Sequence, residues 1–284
     1  MSQENRTNEV LDQVGLNWTV REEKLLTTSG IEIPAQKAII REDTNQVLSV
    51  HGDGYYPYQN YQLIELLDKV SQQIGLPIHR GGMFGDGKKV FIQLKSNDLR
   101  LGNDKVEGFI TGVNSFDGTT SLAFGPSNIT ISCQNSFFAA FRNLDTKVRH
   151  TKNMIMRVDE IARGLEMVVQ EEANMFEDIK KMSETRFSKD TQDWVTKLLF
   201  NISKEVELEN EKELSTVTKN RLVRFGMDMK GELDQKGDNL WGLFSGVTKY
   251  TTHSLSKNDN SENKMFGIYG QRERQIFKEL AELV

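Results

Sequence analysis

The stretch "NSFDGTTSLAFGPSNITISCQNSFFAAFR", residues 114–142, decides the fold. Asp117 and Gly118 form an Asp-Gly turn, a dipeptide that accepts the positive φ angles a tight hairpin needs. Before it, "VEGFITGVNS" has the strand pattern, and after it "SLAFG" and the alternating "SNITISC" have it again, so the segment reads as antiparallel strands. "QNSFFAAFRNL" then places Phe137, Phe138 and Phe141 on one helix face, and the hairpin is expected to run straight into a helix.

Upstream of this stretch the strand signals continue. "EIPAQKAIIREDTNQVLSVHG" predicts two strands, one ending near Arg41 and one over Val47 to Val50, joined by the turn-prone "EDTNQ". "YQNYQLIELLDKVSQQIG" spaces Leu63, Leu66, Leu67, Val70 and Ile74 as one face of a helix, with Gly75 placed to end it. "LPIHRGGMFGDGKKVFIQLK" reads as strand, glycine-rich turn and strand. Downstream the character changes. From about Val148 to Phe200 glycine is scarce, proline is absent, and an apolar stripe through Ile155, Val158, Ile161, Leu165, Val168 and Val169 predicts long helices. "EVELENEKE" is a solvated helix or loop, or else an acidic interaction segment. Trp241, Leu243, Phe244, Val247 and Tyr250 again keep helical spacing, and "QRERQIFKELAELV" supplies a last helix. The expected class is α+β: an antiparallel sheet with hairpins and a packed helix in the N-terminal half, and a mostly α-helical C-terminal half, divided as 1–146 and 147–284.

Composition narrows the function. At 284 residues and 37% hydrophobic content the chain can bury one substantial core or two modest ones. The polar opening "MSQENRTNEV" and the lack of any apolar run near the roughly 20 residues that span a bilayer predict a cytoplasmic protein that meets no membrane. Cys133 is the only cysteine, and its place in "ITISC" is that of a small buried apolar group rather than a nucleophile. His51, His79, His150 and His253 are scattered, so neither a metal site nor another cofactor is expected. A net charge of −5 opposes bulk coating of nucleic acid, so a polyanion site must be a local patch.

Three stretches are candidates for such a patch. "GGMFGDGKK" does not fit the phosphate-loop pattern, because Lys88 is followed by Lys89 and Val90 and then a strand; it reads as a hairpin whose Arg80, Lys88 and Lys89 are secondary phosphate contacts. "GYYPYQNY" offers Tyr55, Tyr56, Tyr58 and Tyr61, which either stack on unpaired bases or staple a helix to the sheet. The strongest is the knot around "KVRHTKN". Between Arg142 and Arg163 there are six Lys or Arg residues and three acids, a local reversal in a chain with 36 bases and 41 acids. Arg142, Lys147, Arg149 and Lys152 would hold phosphates, and His150 among them is either a charged phosphate contact or a neutral hydrogen-bonder. No catalytic residue is assigned.

The same residues carry a resemblance over nearly the whole length. With "GLNWTV", "KAIIREDTNQVLSVHGDGYYPYQNYQLIELLD" and "NLWGLFSGVTKYTTH", the chain resembles the phage and plasmid-like proteins grouped as domain of unknown function 932. The family pattern, roughly Asn-Ser-His-Asp-Gly, Cys-Gln-Asn-Thr and Arg-His-Thr, maps onto Asn114, Ser115, Asp117 and Gly118, onto Cys133, Gln134 and Asn135, and onto Arg149, His150 and Thr151. Phe116 stands in place of the histidine and Ser136 in place of the threonine. A more distant similarity, at the level of fold, is to Rad52-like single-strand annealing proteins, which assemble into rings or helices. The resemblance implies an ATP-independent annealing protein in homologous recombination that is not an enzyme, with Asn114 and Asn135 bracing the hairpin and the helix start. The resemblance also implies a bacterial host cell, and the expected partners are single-stranded DNA, further copies of itself, and a phage exonuclease or single-strand binding protein. The other class considered is an accessory protein that binds and inhibits a host defence complex, favoured by the net acidity.

Overall fold

The computed structural model describes residues 3–102, 104–130, 135–138, 154–208, 214–256 and 261–284. Helix α1 (Gln3–Gln13) leads into an antiparallel sheet of β1 (Val20–Leu26), β2 (Glu32–Arg41) and β3 (Gln46–Gly52), in the order β1-β2-β3. The β2–β3 turn falls in "EDTNQ" as expected, and Asn45 takes φ 55° there, a left-handed conformation that asparagine tolerates. Helix α2 (Asn60–Ile74) buries Leu63, Ile64, Leu66 and Leu67, and Gly75 ends it at φ 72°.

A second sheet follows, with β4 (Ile78–Phe84), β5 (Lys89–Leu101), β6 (Asp104–Ser115), β7 (Ala123–Thr130) and β8 (Asn135–Phe138) in chain order. One expectation is corrected here. Phe137 and Phe138 lie on strand β8, not on a helix, because residues 135–138 pair antiparallel with β7 in the register Ser127↔Phe138 to Thr130↔Asn135. The ladder satisfies backbone groups that a helix start would have left open.

The C-terminal half is helical, with α3 (Met154–Glu184), α4 (Lys189–Phe200), α5 (Thr216–Lys236), α6 (Leu240–Lys249), α7 (Ser261–Phe266) and α8 (Ile268–Ala281). The protein is thus α+β, with antiparallel sheets first and mostly helices after. The helix starts are chemically specified: Ser188, Ser215 and Asn239 accept from the amides of Thr191, Thr218 and Gly242. No helix among the described residues is long and apolar enough to cross a membrane.

The chain divides into two compact units. Unit 1 comprises 1–97, 109–126 and 140–170, and its core gathers Leu16, Ile39, Leu63, Ile92, Phe116 and Phe124. Unit 2 comprises 98–108, 127–139 and 171–284, and its core includes Phe225, Trp241, Leu243, Phe244, Val247 and Tyr250. Within unit 2, α6 runs into a π-helical turn over Tyr250–Ser254. Beside that turn Lys264, 1% exposed, sets its Nζ 2.8 Å from Glu273 and donates to Thr251 and Thr252. Removing this charge pair from water is costly, so these hydroxyls and the carboxylate must all be in place for the ammonium to remain charged.

Candidate nucleic-acid interface

The β4–β5 hairpin of unit 1 is the part of the expected interface that the structure describes. "GGMFGDGKK" forms strand, a single 3₁₀ turn over Gly85–Gly87, and strand, which agrees with the hairpin reading and not with a phosphate loop. Its glycines answer close packing. Gly87 is buried at φ 106° under Trp18, where an added Cβ would sit 3.0 Å from the indole ring, and a Cβ at Gly82 would sit 2.8 Å from Phe91. Arg41 pins the turn from outside. Its guanidinium lies 4.4 Å above the Trp18 ring, pairs with Asp43 at 2.7 Å and donates to the Asp86 carbonyl at 3.0 Å. Through that guanidinium the Asp43 carboxyl is held below the ordinary carboxylate range.

The three hairpin cations end up in different states. Lys88 is exposed at the tip, and its side chain has no ion pair among the described residues. Lys89 is 15% exposed and lies 3.4 Å from Asp117 of the turn after β6. Arg80 reaches the surface, but its Nε donates to Gln93 and its guanidinium leans toward the Phe91 ring at 6.0 Å. Arg142, Lys147, Arg149, His150 and Lys152 lie outside the described residues, as do Cys133 and Gln134.

The tyrosines divide as well. Tyr58 is 3% exposed and donates to the Gln62 carbonyl, so it packs at the start of α2. Tyr55 packs against the unit 1 core and donates to the Ser115 carbonyl at 2.9 Å; burial first, then the charges of Asp117 and Glu22, push its phenol upward. Stapling describes both residues. Tyr61 remains exposed. Asn114 is fully buried and donates to the Tyr58 carbonyl at 2.8 Å, which gives it a bracing role between β6 and the chain entering α2.

His51 is the residue the sequence reading did not place. Its ring stacks on Tyr55 at 3.9 Å, its Nε2 lies 3.3 Å from the Phe116 carbonyl, and its Cε1 would be 2.5 Å from a Cβ on Gly118. Gly118, at φ 69°, is therefore required both by conformation and by space. Asp117 beside it accepts from the Thr119 amide and hydroxyl. Burial raises the Asp117 carboxyl, but these donors and the Lys89 ammonium together bring it below its ordinary value. The only sequence signal for this cluster was the run Asp117-Gly118 itself, because its partners come from strands far apart in the chain.

Among the described residues no three His, Cys, Asp or Glu side chains converge to hold a metal ion. Among the described residues the hairpin tip presents the exposed Lys88 ammonium without an ion pair, beside Lys89 partly engaged by Asp117, charges of the sign that a phosphate backbone attracts. A family model described as Domain of unknown function (DUF932) matches residues 47–272. No curated protein and no solved structure matches the chain.

Proposed function

The chain belongs to that family of domains of unknown function, and from its own residues we propose that it is a single-stranded-DNA-binding and annealing protein of phage or mobile-element type, ATP-independent and acting as a homo-oligomer. The observation that carries this reading is the charge reversal between Arg142 and Arg163, six bases against three acids in a chain of net charge −5. In such a protein no bond is broken. Arg142, Lys147, Arg149 and Lys152 hold phosphates, His150 sits among them, and Arg80, Lys88 and Lys89 of the hairpin are secondary contacts. The link to Rad52-like annealing proteins is an analogy in the order of elements, strands and hairpins followed by a long helix.

One subunit provides only a local patch, so affinity for a long strand must come from several subunits in a row. Mass photometry with and without an oligonucleotide tests this. Large assemblies are expected, and a strict monomer in both conditions overturns the reading. Salt titration tests the residues: log affinity falls linearly with log salt, and Arg149→Ala or Lys152→Ala each shallows the slope by about 0.7.

A further inference from the structure

Two surfaces of unit 2 carry unpaired charge around apolar side chains, and the charges are of opposite sign. On α5, Val223 and Met227 are 59% and 65% exposed and stand one turn apart. Lys219 comes one turn before them and Lys230 one turn after, so the four residues fall on one face of the helix. Neither lysine takes part in an ion pair among the described residues. Asp228, the only acid between Thr216 and Lys230, is buried. The outward side of α5 is therefore an apolar strip with a positive charge at each end.

The second surface is the groove between α4 and α8, a cavity of about 460 Å³. The half-buried Trp194, Leu198 and Ile202 line it together with the carboxylates of Asp190, Asp193 and Glu279, which have no ion pair among the described residues. Of its two cations, Lys197 turns its ammonium to the Lys204 carbonyl at 2.9 Å, and Lys204 lies past the end of α4. The volume is many times the roughly 30 Å³ that one water occupies, enough to admit side chains of a docked helix.

We propose that α5 of one copy docks in the α4–α8 groove of a second copy. Val223 and Met227 enter against Trp194 and Leu198, and Lys219 and Lys230 meet the groove carboxylates. Charge selects this pairing over the symmetric ones: a two-fold contact between α5 helices would bring lysine strips together, and a two-fold contact between grooves would bring carboxylates together. A contact between two different surfaces is head-to-tail, so copies add in a row or close into a ring. This interface rests on the homo-oligomer reading above, to which it supplies the surface, and it does not involve the basic run 142–163.

Size-exclusion chromatography with light scattering, run with and without an oligonucleotide, follows the natural chain and two charge-reversed variants. In Lys219→Glu with Lys230→Glu both sides of the contact are acidic, and in Asp193→Lys with Glu279→Lys both gain positive charge. The natural chain is expected as species larger than one chain, each variant alone as a monomer, and an equimolar mixture of the two variants as large species again, because the reversed strip then meets the reversed groove. Recovery in the mixture also shows that both variants are folded. A measurement that needs neither variant places a photo-crosslinking benzoylphenylalanine at position 227 in a mixture of ¹⁴N- and ¹⁵N-labelled chains; it is expected to attach to residues 190–202 or 275–279 of a chain with the other label. A natural chain that is monomeric in both conditions removes the homo-oligomer reading and this contact with it. If the natural chain assembles but either variant alone assembles equally, the mixture stays monomeric, or position 227 attaches elsewhere, the oligonucleotide included, this contact is overturned and the homo-oligomer reading stands.

Discussion

The surroundings of Phe116 suit an apolar ring and make an imidazole a poor fit. Phe116 is fully buried, with its ring 5.4 Å from Trp18. Phe116→His exchanges apolar contacts for a polar ring with no partner, and is expected to lower stability by about 3 kcal/mol in urea unfolding. Asp117, next in the chain, has a carboxyl lowered from its usual 3.8. A lowered folded-state value means its stabilisation is fully present above pH 3.8 and disappears as the pH falls through the folded-state value. Asp117→Asn should therefore be less stable than the natural chain at neutral pH, with the gap closing below about pH 4. A gap that stays constant down to pH 2 would show that the Thr119 and Lys89 contacts do not hold the carboxylate.

Among the elements, β2, β3, α2 and the β4–β5 hairpin were readable because each combines a clear period with a turn or stop residue, such as Asn45, Gly75 and the glycines of "GGMFGDGKK". Strand β1 was not, since "VREEKLL" is mostly exposed along its length and shows no two-residue alternation. Strand β8 was misread because adjacent phenylalanines suit a helix face or a short strand equally, and its pairing with β7 is a non-local choice. The candidate site follows the same rule. Lys88 was visible as a loop cation, but the Lys89–Asp117 pair and the approach of the His51 ring to Gly118 join parts of the chain that no local window contains. Helix α6 provides a test at this scale. Asn239 caps it by accepting from Gly242 at 2.8 Å, and Asn239→Ala should cost about 1 kcal/mol in thermal or urea unfolding, while Asn239→Ser keeps most of that.

At the scale of the whole molecule, the path of the chain matters more than the boundary suggested by its composition. Unit 1 draws its last segment from 140–170, and Val168 from that segment is fully buried in its core. Unit 2 draws on 98–108, and Val106 is fully buried in its core among residues from α3 onward. A fragment of residues 1–146 would therefore keep Val106 without the helices that cover it, and would lose Val168 from a core it otherwise retains. Each loss of a buried aliphatic side chain costs about 1.5–3 kcal/mol of burial, against a total stability of about 5–15 kcal/mol. The four buried α3 side chains of the two cores, Val168, Met175, Ile179 and Met182, together represent about 6–12 kcal/mol of burial, comparable to that margin. The fragment 1–146 is expected to show collapsed amide dispersion by NMR and no cooperative thermal transition, whereas the full chain unfolds cooperatively. A well-dispersed, cooperatively melting fragment would mean that the sheet and hairpins stabilise themselves, and that the α3 contributions to the two cores are dispensable.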